Sequence, residues 1–94
     1  MRIKVVYLGV IRHKVGKKEE EYRLAEGSSL TNLLSKIIES HRELEKIVSD
    51  ESESPVDPTL IATLNGSTIN LTNKDEIELK DGDILTLMTV ISGG

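Results

Sequence analysis

The chain contains no cysteine, which excludes several kinds of site at once. Without a thiol it cannot form a disulfide, bind a metal through thiolates or use a cysteine as a nucleophile. Its two histidines, His13 and His41, do not form the clustered spacing of a metal-ligand motif. We therefore expect no dedicated metal site in this protein.

Long apolar runs are also missing. No segment approaches the roughly 20 apolar residues that a helix needs to cross a bilayer. The chain begins with strand-like residues at positions 2–8, so we expect no secretory signal peptide, no membrane partner and a cytoplasmic location. The formal net charge of −4 argues against general binding to nucleic-acid phosphates. The 94 residues, 37% of them apolar and 30% charged, have the composition of one small globular domain.

The first quarter of the chain predicts a β-hairpin. Residues 2–11 are apolar on both faces of an extended chain, which is typical of a central strand. A polar turn around Gly16 follows, and residues 19–24 then alternate as a half-exposed strand. We therefore predict that residues 2–24 form two paired strands joined by a turn.

A helix is predicted next. Ser28 and Ser29 are both suitable N-cap residues, and apolar residues recur at helical spacing between Leu30 and Leu44. This stripe predicts a helix that packs on the core rather than on a partner. His41 lies near its end, where we expect interaction with the helix dipole rather than a functional role.

The second half of the chain predicts a loop and then further strands. Residues 49–58 have no apolar periodicity, and their acids lack the ligand spacing of a calcium loop. The last strand should be central because almost all of its residues are apolar or β-branched. The predicted elements are a strand at 60–64, a turn at Asn65-Gly66, extended pieces near 69–71 and 76–79, a turn at Asp81-Gly82 and a strand at 84–91.

These elements predict an α+β fold of the β-grasp (ubiquitin-like) type, with a mixed sheet of four to five strands packed on one main helix. Short connections and a right-handed crossover favour adjacent first and last strands in the middle of the sheet. We predict a single domain over residues 1–90 and an exposed tail at 91–94. The sequence shows no nucleophile–base set and no glycine-rich phosphate loop. The acids at 76, 78, 81 and 83 are expected to be solvated surface groups.

The tail ends in Gly93-Gly94, preceded by Ile91 and Ser92. Glycines have no β-carbon and adopt backbone angles that other residues avoid. An arm of this kind can enter a narrow channel and bring its terminal carboxylate to a reaction site. The alternative interpretation is a frayed terminus without a function.

Five segments together resemble the MoaD/ThiS family of small sulfur carriers, the prokaryotic relatives of ubiquitin. They are Val5-Val6-Tyr7-Leu8-Gly9, Glu26-Gly27-Ser28-Ser29-Leu30, Leu64-Asn65-Gly66, Leu79-Lys80-Asp81-Gly82-Asp83 and Ser92-Gly93-Gly94. The resemblance covers nearly the whole chain. No single segment is specific, but their order and the position of the last one at the C-terminus are.

The resemblance implies that Gly94 is the functional residue. An ATP-dependent, ubiquitin-activating-like enzyme would adenylate its carboxylate, and a persulfide donor would then convert it to a thiocarboxylate. The chain itself would bind no cofactor and catalyse nothing. Gly93, Ser92 and Ile91 would reach into the partner's channel, and Val90 would anchor the arm to the sheet. Docking should use the exposed sheet face beside the tail, with apolar residues surrounded by acids.

Several functions remain open on this basis. The resemblance favours a sulfur carrier of molybdopterin biosynthesis, paired with the large subunit of molybdopterin synthase, because residues 43–59 lengthen the chain relative to thiamine-pathway carriers. A ubiquitin-like modifier joined through Gly94 to lysines of target proteins is the first alternative. A thiamine-pathway carrier and a β-grasp binding module with an inert tail are the others.

Overall fold

A computed structural model describes residues 1–45 and 60–89 of the chain. The described elements form one five-stranded sheet with one main helix. They are β1 (Arg2–Gly9), α1 (Val10–Val15), β2 (Glu19–Arg23), α2 (Leu30–Ser40), β3 (Leu60–Leu64), β4 (Ser67–Thr68) and β5 (Ile84–Thr89), with 3-10 helices at Arg42–Leu44 and Leu71–Glu76. The predicted loop at 49–58 and the predicted tail at 91–94 lie outside the described residues.

The strand order across the sheet is β2-β1-β5-β3-β4. The first and last strands of the chain, β1 and β5, pair in parallel, and the other pairs are antiparallel. This confirms the prediction of a mixed sheet whose first and last strands are adjacent and central. The arrangement is that of a β-grasp fold.

The core lies between one face of the sheet and α2. On β1 the alternate residues Ile3, Val5 and Tyr7 are fully buried, as the period of two predicts for one strand face. The apolar stripe of α2, which begins at Leu30, is buried against them. Burying each side chain of this size stabilises the fold by about 1.5–3 kcal/mol. Leu44 also joins the core, although it belongs to the following 3-10 helix and not to α2.

Local residues begin α2 as predicted. Ser29 is its N-cap and forms a capping box with Asn32, in which the Ser29 backbone N donates to Asn32 Oδ1 over 2.9 Å. A capping box satisfies backbone donors that have no partner within the helix. The helix therefore begins where the serine pair predicted.

The predicted hairpin is correct in its pairing but wrong in its connection. β1 and β2 pair antiparallel, yet β1 ends at Gly9 and the next six residues form α1. Gly9 adopts φ 61° and ψ −133°, a conformation that ends an extended strand and that only glycine adopts readily. Ile11 is then buried from the helix instead of from a strand.

Two further predictions in the second half require correction. Leu71 and Glu76, which end and begin the two predicted extended pieces, belong instead to the 3-10 helix Leu71–Glu76, and Glu78 forms only an isolated bridge, to Ser29. Asp83 is not a solvated acid, since it is 9% exposed. It accepts hydrogen bonds from Asn65 Nδ2 at 2.9 Å and from the Lys80 backbone N at 2.8 Å. Its carboxylate therefore joins the two predicted turns, a structural role.

A polar cluster centred on Glu20 ties β2 to β1 and to the end of α2. Glu20 Oε1 accepts hydrogen bonds from Tyr7 Oη at 2.8 Å, from Tyr22 Oη at 3.3 Å and from His41 Nε2. Lys17 Nζ donates to Glu20 Oε2 over 3.2 Å. His41 is the C-cap of α2, and its ring meets the Tyr7 ring edge-on at 5.9 Å. It therefore packs as part of this cluster, beyond the dipole interaction predicted for it.

Partial burial would by itself raise the pKa of Glu20. The hydrogen bonds from Tyr7, His41 and Lys17 outweigh that effect and lower the pKa of this carboxyl below its ordinary value. Burial, and after it the hydrogen bond to Glu20, raises the pKa of Tyr7. The cluster therefore holds Glu20 as a carboxylate and Tyr7 as a neutral donor.

We predict that Glu20→Gln lowers the free energy of unfolding by about 1–2 kcal/mol at neutral pH, because the hydrogen bonds to a charged acceptor are weakened. The folded-state pKa of Glu20 lies below the ordinary 4.5. The stabilisation is therefore present above pH 4.5 and is lost as the pH falls through the lower folded value. Urea unfolding of both proteins between about pH 3 and pH 6 measures this. Glu21→Gln, on the exposed face of the same strand, is the control, and an equal loss in it would contradict the prediction.

We also predict that Gly9→Asn destabilises the protein by about 2 kcal/mol more than Gly16→Asn does. Gly16 has φ 80° and ψ 11°, the left-handed region that Asn tolerates. Gly9 lies outside that region, and a β-carbon there would also approach the Thr89 carbonyl oxygen at 3.4 Å. Denaturant unfolding of the two variants measures the difference. Equal losses would show that Gly9 is not a special backbone position.

Candidate functional site

The predicted site residues are the last five of the chain: Val90, Ile91, Ser92, Gly93 and Gly94. All five lie outside the described residues, so their roles remain predictions. The structure does show the position from which this segment departs, at Thr89, and the surfaces around it. These surfaces are the described part of the candidate site.

Thr89 is the last residue of β5, the middle strand of the sheet. It pairs with Gly9 on β1 and with Leu60 on β3. Its side chain is buried, and its Oγ1 has no hydrogen-bond partner among residues 1–45 and 60–89. Because strands flank Thr89 on both sides, the point at which the predicted tail leaves the domain is fixed.

An apolar row crosses the outer sheet face next to this point. Leu8, Met88 and Ile61 are register partners on β1, β5 and β3, and we call them the outer row. Leu8 and Met88 are half-buried, and Ile61 is 37% exposed. Exposed apolar groups set side by side are typical of a protein–protein contact surface. The predicted docking face beside the tail therefore has described apolar residues.

Sequence reasoning did not identify the outer row. A shift of one residue in register exchanges the two faces of a strand, and the residues of β1 are apolar on both faces. The apolar residues on both faces of β1 are the available signal, but they do not show which face is exposed to solvent. The position of α2 over Ile3, Val5 and Tyr7 decides this.

The charges around the outer row differ from the expected ring of acids. Acids do lie on this face, at Glu19 and Glu21 of the edge strand β2, where they pair with Lys4 at 3.9 Å and Arg2 at 3.8 Å. Next to Gly9, however, the chain continues into basic residues of α1. The surface at the base of the predicted tail is therefore partly basic, because α1 replaces the predicted strand end and turn.

The described residues offer little for other kinds of site. Within residues 1–45 and 60–89, no three His, Cys, Asp or Glu side chains come together in a way that could hold a metal ion. No helix in the same ranges is long and apolar enough to cross a membrane.

Comparison with known proteins identifies the relatives of this chain. Residues 5–94 match the ThiS family. The chain is 30% identical to the molybdopterin synthase sulfur carrier subunit of Chlamydomonas reinhardtii, over 94 residues that make up 100% of both chains. The similarity therefore extends through the terminal glycines.

Solved structures show the same fold. The putative molybdopterin converting factor subunit 1 of Pyrococcus furiosus superposes with a TM-score of 0.74 at 26% identity, covering 97% of this chain and 99% of that one. SAMP1 of Haloferax volcanii, a small archaeal modifier protein, superposes with a TM-score of 0.82 at 17% identity, covering 100% of both chains. With the family match over residues 5–94, these relatives show that the chain is a β-grasp, ubiquitin-like protein that belongs to the ThiS family.

Proposed function

We propose that this protein is a sulfur carrier whose C-terminal carboxyl group, on Gly94, is converted to a thiocarboxylate. The observation that carries the proposal is the similarity over the whole length of both chains to a molybdopterin synthase sulfur carrier subunit. A fold in which the middle strand ends next to the predicted tail supports it. The favoured setting is molybdopterin biosynthesis, with this chain as the small subunit of the synthase.

The chemistry explains why a chain without cysteine can carry sulfur. The Gly94 carboxylate is a poor electrophile because its negative charge repels a nucleophile. Attack of a carboxylate oxygen on the α-phosphorus of ATP releases pyrophosphate and forms an acyl-adenylate. A persulfide sulfur then attacks the acyl carbon and AMP leaves. Cleavage of the remaining sulfur–sulfur bond by a thiol frees the thiocarboxylate and leaves a disulfide on the donor side. The backbone end thus replaces a side-chain thiol.

This proposal assigns the catalysis to partner proteins. An adenylating enzyme uses ATP to activate the carboxyl group, a persulfide protein supplies sulfur, and the large subunit of the synthase receives it, all in the cytoplasm. The carrier's part is to present its end accurately. β1 and β3 hold β5 on both sides up to Thr89, so a docked partner meets the start of the tail in one position.

The outer row is the proposed contact surface for these partners. It lies at the end of β5 from which the tail departs, and its residues Leu8, Met88 and Ile61 form one continuous apolar line. A partner that binds the tail in a channel must also cover the surface at the channel's mouth. Burying this row would add affinity that does not depend on the state of the carboxyl group.

A ubiquitin-like modifier is the second candidate. An activated Gly94 carboxyl can be attacked by a lysine amine of a target protein as well as by sulfur, and SAMP1 shares the whole fold. At 17% identity that likeness concerns the fold alone. A thiamine-pathway carrier is a third candidate, since the same thiocarboxylate would serve it.

We predict that the intact mass of the protein, after incubation with ATP, its adenylating enzyme and a persulfide donor, increases by the difference between one sulfur and one oxygen atom. Deletion of Gly93 and Gly94 should abolish the shift, because the reacting carboxyl group is then misplaced. Intact-protein mass spectrometry measures both.

The deletion variant, protein recovered from cells and assays of the two pathways separate the candidates. Protein recovered from cells in covalent linkage to lysines, with no sulfur-bearing free form, would favour the modifier and overturn the carrier. A mass shift that survives the deletion of both glycines would place the sulfur elsewhere and contradict the proposed chemistry. A loaded carrier that supports synthesis of thiamine but not of molybdopterin would change the pathway and keep the mechanism.

We further predict that Ile61→Glu weakens binding to the adenylating enzyme tenfold or more, which is about the cost of losing a central apolar contact. Ile84→Glu is the matched control. Ile84 lies on the same sheet face and is 39% exposed, against 37% for Ile61, but it is at the opposite end of β5. Calorimetric titration with the enzyme measures both affinities, and thermal unfolding checks that both variants fold. Equal weakening by the two substitutions would show that the outer row is not the contact surface.

A further inference from the structure

Positive charge is concentrated in the N-terminal segment of an acidic protein. Residues 1–18 contain no Asp or Glu but half of the twelve Lys and Arg residues, whereas the whole chain has a net charge of −4. The first acid is Glu19. The proposed function makes no use of this segregation, and nothing in the fold's core requires it.

The fold gathers part of this charge around a cavity. The cavity has a volume of about 430 Å³ and is open to solvent. It is lined by Gly9, Arg12, His13, Gly16, Lys17 and Lys18, and we call these six residues the basic pocket. Every side chain that lines it is basic, and its volume is in the range of small-molecule sites, about 300–1,000 Å³.

Local structure positions the backbone around the pocket and the side chain of Arg12. Arg12 Nε donates to the Tyr7 carbonyl oxygen over 3.1 Å, which fixes the stem of the guanidinium group. Gly16 ends α1 in the left-handed conformation and turns the chain back. The Lys18 carbonyl oxygen then accepts from the Tyr7 backbone N over 2.8 Å. The cations therefore converge because α1 replaces a simple hairpin turn.

Most of this charge is not neutralised within the described part of the fold. Among residues 1–45 and 60–89, no carboxylate lies within 4.0 Å of a nitrogen of Arg12, His13 or Lys18. Lys17 is the exception, since its Nζ lies 3.2 Å from Glu20 Oε2. Cations that converge on an open cavity without acidic partners attract anions from solution.

We propose that the basic pocket binds the phosphate group of a phosphorylated small molecule. A guanidinium group next to lysine ammonium groups suits a phosphate. The phosphate accepts paired hydrogen bonds from Arg and is attracted by the compact positive charge of Lys. The two glycines leave room for the ligand, and a β-carbon on Gly16 would have no atom within 4 Å. The pocket is an open depression whose volume of about 430 Å³ accommodates a small phosphorylated molecule.

The pocket's position relates it to the candidate site. Gly9 lines the pocket and is also the register partner of Thr89. A phosphate bound there would lie beside the point from which the tail leaves the domain. All six residues of the basic pocket lie between Gly9 and Lys18, so we expect phosphate binding to be independent of sulfur loading.

Titration of the full-length protein with inorganic pyrophosphate, followed by NMR of the backbone amides at constant ionic strength, tests the proposal. We expect saturable shifts at Gly9, Gly16 and Lys18. Arg12→Gln and Lys18→Gln should each weaken binding by about threefold to tenfold, because each removes one charge-assisted contact. Lys36→Gln, an equal charge change on the exposed face of α2, is the matched control.

Several outcomes would overturn the proposal. They are shifts that do not saturate, equal weakening by Lys36→Gln, and tighter binding of an acidic peptide than of pyrophosphate at the same amides, which would assign the pocket to a protein partner. The amide spectrum of each variant reports its folding, and the titration of the unsubstituted protein decides the matter if a variant does not fold. The chain lacking Gly93 and Gly94 should bind pyrophosphate unchanged, so this test and the mass test of sulfur loading fail independently.

Discussion

The parallel pairing of β1 with β5 is the constraint on which the rest of the structure depends. It joins the first and last strands of the described domain in the middle of one sheet, so neither strand is left as an unpaired edge. Their shared inner face supplies the floor on which α2 packs. The pairing also places Thr89 beside Gly9, which fixes the base of the predicted tail. A carrier that acts through its end needs such a base, since an arm on a loosely held strand would reach a partner's channel from many directions.

Gly9 has a role in the fold and also borders two surface features. Its backbone conformation, with φ 61°, ends β1 and disfavours any residue with a β-carbon. Because the chain turns into α1 there, basic residues follow directly after the outer row. An apolar contact surface and the basic pocket thus adjoin at a single residue. Acids were expected around the docking surface, whereas α1 places the basic residues Arg12, His13 and Lys14 near it.

Local signals predicted most of the fold, and non-local contacts decided the rest. The serine cap and apolar stripe of α2 and the Asn65-Gly66 turn are encoded by neighbours in sequence, and the structure confirms them. The start of α1 was missed because Val10 and Ile11 fit a strand as well as a short helix, and burial of Ile11 decides between them. The turn sequence around Asp83 predicts a surface acid, because its hydrogen-bond partner Asn65 is distant in sequence. Predicting the outer row requires the register of three strands relative to one another, which no single segment of the sequence contains.

The terminal glycines cannot by themselves separate a sulfur carrier from a protein modifier, because both functions begin with the same activated carboxyl group. The difference must come from what binds the domain while that group reacts. Because the chain has no cysteine, its side chains would contribute to this reaction by recognising partners and ligands. Two described surfaces near Thr89 could do so, the outer row and the basic pocket. The outer row is apolar and suits any partner that covers the tail, so it discriminates little. The basic pocket adds a preference for anions that the outer row does not provide. If the basic pocket binds a phosphate as proposed, α1 and its flanking glycines would contribute to the specificity of the protein, and this is the part of the chain that sequence patterns described least well.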